Sequence, residues 1–353
     1  MVKSMRWPSQ TILRRLSNIA AVVVAAGMLS CSDGSKKLEV VEFQVLVDQF
    51  GYRPQDPKVA VVIGSLNGER PYELRNVETD LVVDVITPEQ WAGGSVHSQS
   101  GERAWWVDFS DLEKPGKYVL VREDGGIRSA EFEIRTDVYR DVLIAATKMF
   151  FYLRSGFSFR EPFADARWSD EAAYMGPGQD TQARFVDDKL NPLSERAMHG
   201  GWFDAGDTNK YVTYALQPVH QLLSAYGQNP KIWTDDFNIP ESGNGIPDLL
   251  DEIKFELDWL IRMQDDDGGA FIKLGTLDYE TPSPIPSKEK RPRNYGPKSS
   301  SSPIAIASMF AHAAVEMQAI PELEDYAAEL TSRARSAWDW FQNNPVETDC
   351  DTG

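Results

Sequence analysis

The hydrophobic period of this chain changes once, just after Asp137, and that change constrains the architecture more than any other feature. Before it, short apolar runs alternate with polar residues at the two-residue period of half-buried strands. After it, apolar residues recur at helical spacing. A chain of 353 residues has room for one domain of each kind.

Seven short runs between residues 43 and 136 read as strands: Val45–Val47, Val59–Ile63, Tyr72–Leu74, Leu81–Ile86, Ala104–Val107, Lys117–Val121 and Ala130–Ile134. Gly, Pro, Asn and Asp punctuate them. So many short strands in about a hundred residues predict an all-β immunoglobulin-like sandwich. From residue 137 to 353 five helices are expected. They run Tyr139–Leu153, Tyr211–Tyr226 (opened by Asp207 or Thr208), Asp248–Met263 (with Pro247 at its start), Pro303 to about Ala319, and Pro321 to about Phe341. Ser155–Gly201 and Gly268–Ser302 are long loops of the kind that carry function.

Residues 1–30 read as a secretory signal: Lys3, Arg6, Arg14 and Arg15 form a basic start, and an apolar run from Ile19 to Leu29 follows. It ends Gly27-Met28-Leu29-Ser30-Cys31, which resembles a bacterial lipobox, with Cys31 as the lipidated first residue and 31–42 as a tether. The competing reading is an uncleaved anchor with Cys31 incidental. The expected location is the bacterial cell envelope, outer membrane or surface, held by the lipid. Losing those four cations would take the net charge from −18 to about −22, which argues against a nucleic-acid partner. Cys350 is the only other cysteine, so no disulfide framework is expected in a lipidated chain.

Chemistry concentrates in Gly200-Gly201-Trp202-Phe203-Asp204-Ala205-Gly206-Asp207. Carboxylates three apart share one face of a helical turn. Such a pair can hold a water and take its proton. Trp202 offers a flat apolar face to a ligand. The plainer alternative is a turn with an aspartate cap. The run Ile239-Pro240-Glu241-Ser242-Gly243-Asn244-Gly245-Ile246-Pro247-Asp248 fits either a tight lead-in to a helix or a substrate-facing loop. Asp248, Asp251 and Glu252 then suit the positive end of that helix without a metal. Asp265-Asp266-Asp267 begins like a calcium loop, but Thr276 stands where the closing glutamate belongs, so a solvated turn is expected. His220 and His312 read as core or rim residues, and His199 as a residue that could line a cleft. With His97, the four histidines are too scattered for a Cys/His zinc cluster.

The aspartate run, followed by Lys210-Tyr211-Val212, resembles the aspartate motif of glycoside hydrolase family 9, the inverting cellulases. Asn238 to Glu252, then Trp259-Leu260 and Met263-Gln264, resembles the family's next block. The β region, with Val47-Asp48-Gln49-Phe50-Gly51-Tyr52, is similar to the immunoglobulin-like module preceding the catalytic domain in one branch. The resemblance implies an (α/α)6 barrel, of which residues 137–353 would be the N-terminal part. It implies Asp207 as general base and Asp204 as the residue positioning the water, while Trp202 is the candidate substrate contact on the strength of its flat face alone. The general acid it implies is a glutamate near the end of the family domain, expected to be absent from this chain, which therefore reads as an inactive fragment. Some members hold zinc through Cys and His ahead of the motif. Ser155 stands where Cys is common, so zinc is not expected. No cofactor is required, and calcium is compatible with no ligands assigned. The expected activity is hydrolysis of β-1,4-glucosidic bonds. Two alternatives are an exo-acting member on oligosaccharides or glucosamine-containing substrates, and a non-catalytic carbohydrate-binding surface lipoprotein.

Overall fold

The computed structural model describes residues 43–64, 69–122, 126–278 and 285–347. The signal, the tether, Cys31 and Cys350 lie outside them. The chain divides into two compact units between Val138 and Tyr139.

The first unit contains β1 (Phe43–Leu46), β2 (Val59–Gly64), β3 (Tyr72–Asn76), β4 (Val82–Ile86), β5 (Glu89–Gln90), β6 (Arg103–Asp108), β7 (Gly116–Arg122), β8 (Ile127–Arg128) and β9 (Phe132–Ile134). All seven expected runs are strands, and two further two-residue strands join them. One sheet runs β1-β2-β6-β5 and the other β4-β3-β7-β8, with β9 also on β7. Every pairing within these two sheets is antiparallel. Alternation decides the core: Ala60 and Val62, Tyr72 and Leu74, Trp105 and Val107, Tyr118 and Leu120 all point inward. Tyr52, Phe109 and Phe132 pack between them with ring centroids 5.1–5.4 Å apart. The result is the expected immunoglobulin-like β unit.

The second unit holds α1 (Arg140–Phe151), α2 (Leu216–Gln228), α3 (Asp248–Met263), α4 (Ser301–Met317) and α5 (Glu324–Asn343). The first, third, fourth and fifth match expectation within a few residues. The second does not start where expected. Lys210–Tyr211 is β11, paired with β12 (Lys273–Gly275), and the helix begins at Leu216. Strands β10 (Arg184–Phe185) and β13 (Asn294–Tyr295) complete a small sheet ordered β10-β13-β12-β11. Three of its strands come from the two long loops and β11 from the segment after the aspartate run, and none was visible as periodicity. Leu249, Leu250, Ile253, Leu257, Trp259 and Leu260 of α3 meet Ile306, Met309 and Phe310 of α4 in one apolar core.

Candidate active site

The aspartate run is not helical. Thr208 has φ +59°, and the backbone closes on itself through Asp204 N–H to Asn209 O (2.9 Å) and Thr208 N–H to Ala205 O (3.0 Å). Asp204 and Asp207 therefore share a tight loop between Phe203 and β11, not the face of a helical turn. Asp204 is exposed and Asp207 half-buried, while Thr208, Asn209 and Lys210 are buried beneath them. Partial desolvation by the surrounding loop and the neighbouring Asp207 charge both hold Asp204 above the usual carboxylate range. A carboxylate pair facing solvent over a fixed floor can hold and deprotonate a water.

That floor is ionic. Asp180 is fully buried and accepts from Lys210 Nζ (2.7 Å), Arg293 Nε (3.0 Å) and Ser155 Oγ (3.1 Å). Burial alone would raise its carboxyl, but Lys210 and Arg293 outweigh burial and keep it below the ordinary value. Lys210 also donates to Gly200 O (2.6 Å), and Arg293 Nη2 to Thr208 O (2.8 Å). The two cations thus grip the loop at both ends. Arg293 lies 4.0 Å from the Tyr174 ring centroid, and the Tyr174 hydroxyl bonds Thr208 Oγ1. A cavity of about 560 Å³, with Thr276, Arg291 and Arg293 in its wall, adjoins this floor.

Trp202 is not presented to a ligand. It is 6% exposed, its backbone N–H donates to Glu256 (2.5 Å), its indole N–H to Glu252 (2.8 Å), and its ring centroid sits 4.8 Å from that of Phe150. The flat face read as a sugar platform is packed into the core. Gly201 makes room for this: its φ is +75°, and a Cβ there would lie 2.6 Å from Trp259.

The second glycine-rich loop is structural. Glu241 forms a two-point pair with Arg154 (2.9 and 3.1 Å), which also binds Glu252 (3.0 Å). Ser242 donates to Asp248 (2.8 Å), Asn244 to Asp251 (3.0 Å), and the Gly243 and Gly245 N–H groups to Asp235 (2.6 and 2.7 Å). Of the two readings of this run, the tight helix lead-in is the one seen. Burial, only partly offset by Asn244, pushes Asp251 up to about 7. Burial likewise pushes Glu256 up to about 8, against the Trp202 N–H bond.

The Asp265–Asp267 turn is tied to cations: Lys298 binds Asp265 (2.6 Å) and Asp267 (2.8 Å), and Arg196 binds Asp265 (2.8 Å). Asp265 is accordingly less solvated than the sequence suggested. His220 and His312 stack across α2 and α4 with their Nδ1 atoms 2.8 Å apart, half-buried as expected for rim residues. His199 is half-buried beside Gly200, with no partner seen for its buried Nδ1. Asp180, Asn209 and Arg293 escaped the sequence reading because their partners lie up to 113 residues away.

Residues 139–352 match glycosyl hydrolase family 9, and residues 41–126 match the cellulase N-terminal ig-like domain. A xyloglucan-specific endo-β-1,4-glucanase of Bacteroides ovatus is 32% identical over 266 residues, covering 70% of this chain and 41% of that protein. A cellodextrinase of Butyrivibrio fibrisolvens is 29% identical over 318 residues, covering 86% of this chain and 52% of its own length. The crystal structure of a metagenome-derived glycoside hydrolase family 9 endoglucanase superposes with TM-score 0.72 at 33% identity, over 87% of this chain and 56% of that one. The chain thus spans about half, or less, of the length of these curated relatives.

Proposed function

The chain belongs to glycoside hydrolase family 9, and from that premise we propose that the whole protein hydrolyses β-1,4-glucosidic bonds in cellulose or a related β-glucan with inversion. The observation that carries the proposal is the Asp204/Asp207 loop, solvent-facing above a buried ionic floor. Asp207 is the general base and Asp204 helps hold the attacking water. The helical unit belongs to an (α/α)6 barrel. The general acid implied by the family is a glutamate near the end of its domain. The described residues do not fit zinc at Ser155: no thiolate is offered, and the neighbouring Asp180 is already taken by Lys210 and Arg293. An exo-acting enzyme on oligosaccharides is the second reading, favoured by the similarity to a cellodextrinase.

In the full-length protein, Asp207→Asn should lower kcat by about 10²–10⁴-fold, as loss of a general base does, with substrate binding retained. Proton NMR of the first-formed product should show the α-anomer. A β-anomer would overturn inversion, and wild-type turnover in Asp207→Asn would overturn the assignment of the base.

Cys31 is proposed to carry the lipid that anchors the protein to the cell envelope. Cys31→Ser should move it to the soluble fraction or stall its processing. Unchanged membrane association after normal cleavage would refute the anchor.

A further inference from the structure

Asn209 holds Asp207 at both oxygens. Its backbone N–H donates to Oδ1 (3.2 Å) and its side-chain Nδ2 to Oδ2 (2.9 Å). The Asn209 side chain is itself fixed from the other end. Its Oδ1 accepts from Thr276 N–H (2.9 Å) and from Arg293 Nη1 (3.4 Å), which sets the amide so that its NH2 group faces the carboxylate. Asn209 is fully buried, so water does not compete for these bonds. Directly beside it, β12 is bare: a Cβ on Gly275 would come within 2.1 Å of Asn209 Oδ1.

We infer that Asn209 is a positioning residue for Asp207, wedged between Gly275 and Arg293 so that the carboxylate presents one fixed orientation to the attacking water. The inference rests on the reading of Asp207 as the base. A two-point grip fixes both the plane and the location of a carboxylate. Misplacing a reacting group by about 1 Å can cost up to about 10²-fold in rate. Asn209 touches neither the attacking water nor the glucan in this scheme and acts only by holding the Asp207 carboxylate. Its loss should therefore appear in kcat and leave KM alone. Arg293 keeps Asp180 and the Thr208 carbonyl when Asn209 is truncated, so the ionic floor survives.

The experiment is a double-variant cycle in the full-length protein, with soluble β-1,4-glucan as substrate and thermal unfolding as the check on folding. Asn209→Ala should lower kcat about 10- to 100-fold with KM within about twofold. Gly275→Ala should also lower kcat, because the new methyl displaces the amide. Combined, the two should cost no more than Asn209→Ala alone, because the methyl then meets no amide. Additive losses overturn the inference. So does an unchanged kcat in Asn209→Ala when Asp207→Asn is inactive, and in that case the proposed function still stands. An active Asp207→Asn instead overturns the proposed function itself. Should Gly275→Ala fail to fold, the kcat-against-KM split of Asn209→Ala decides.

Discussion

The loop at residues 200–209 leaves Asp204 exposed and Asp207 half-buried, whereas the loop at 238–247 leads straight into α3, whose first acids Asp248, Asp251 and Glu252 face inward and are almost fully covered. In sequence the two look alike: glycines, aspartates and a nearby helix. In the structure the acids after the second loop bond Arg154, Ser242, Asn244 and the Phe237 and Trp202 N–H groups, and so brace the start of α3. The first loop places its cations one layer down, where Lys210 and Arg293 pair with Asp180, and its own Asp207 is held by Asn209 rather than by a cation. What separates a candidate site from a scaffold here is where the counter-charges lie.

This comparison can be broken at the scaffold. Arg154→Met leaves Glu252, 1% exposed, facing Glu241 without a cation. Removing one partner of a buried ion pair typically costs about 3–5 kcal/mol, and chemical denaturation should show a loss of that order. A loss under about 1 kcal/mol would mean that the second loop does not brace the fold. Asp207→Asn, in the other loop, leaves one Asn209 donor unmatched and should cost about 1–3 kcal/mol, less than Arg154→Met.

A second measurement sharpens it through pH. Asp251 and Glu256 bind protons more tightly folded than unfolded, at about 7 and about 8. The stability they contribute is fully present below the unfolded carboxylate pKa of about 4 and is lost as pH rises through 7 to 8. The unfolding midpoint should therefore fall between about pH 5 and pH 8, and Glu256→Gln should flatten that fall. A midpoint that rises over this window in the parent protein would refute the buried, protonated state of Glu256. The smallest effect is expected at Asn244. Asn244→Ala removes its bond to Asp251 and the one it accepts from the Ile246 N–H, and should cost about 1–2 kcal/mol. Its kcat should not change; a large kcat loss would move the second loop into the active site.

Much of the fold was legible because it is periodic. The seven strand runs and four of the five helices declare themselves through alternation, helical spacing and proline. The small sheet of β10 to β13 did not, because strands of two or three residues carry no period. It is this sheet that delays α2: β11 takes Lys210 and Tyr211 for pairing with β12, and the helix waits until Leu216. The aspartates were legible as a motif but not as a shape, since a spacing of three is helical only if the backbone is. Trp202 misled for a related reason. An indole beside glycines looks available until Glu252 and Glu256, fifty or more residues on, are seen to hold both its nitrogens.

Asp180 also sets a timetable. Its partners stand 25, 30 and 113 residues downstream or upstream along the chain, at Ser155, Lys210 and Arg293. A ribosome adding about 5–20 residues per second needs roughly 6–23 s to travel from Asp180 to Arg293. Once Lys210 has been made it can meet Asp180, but until the interval ends the arginine that grips Thr208 does not yet exist. The aspartate loop therefore cannot take its final shape until Arg293 has been made, well after the β unit has emerged and been able to fold.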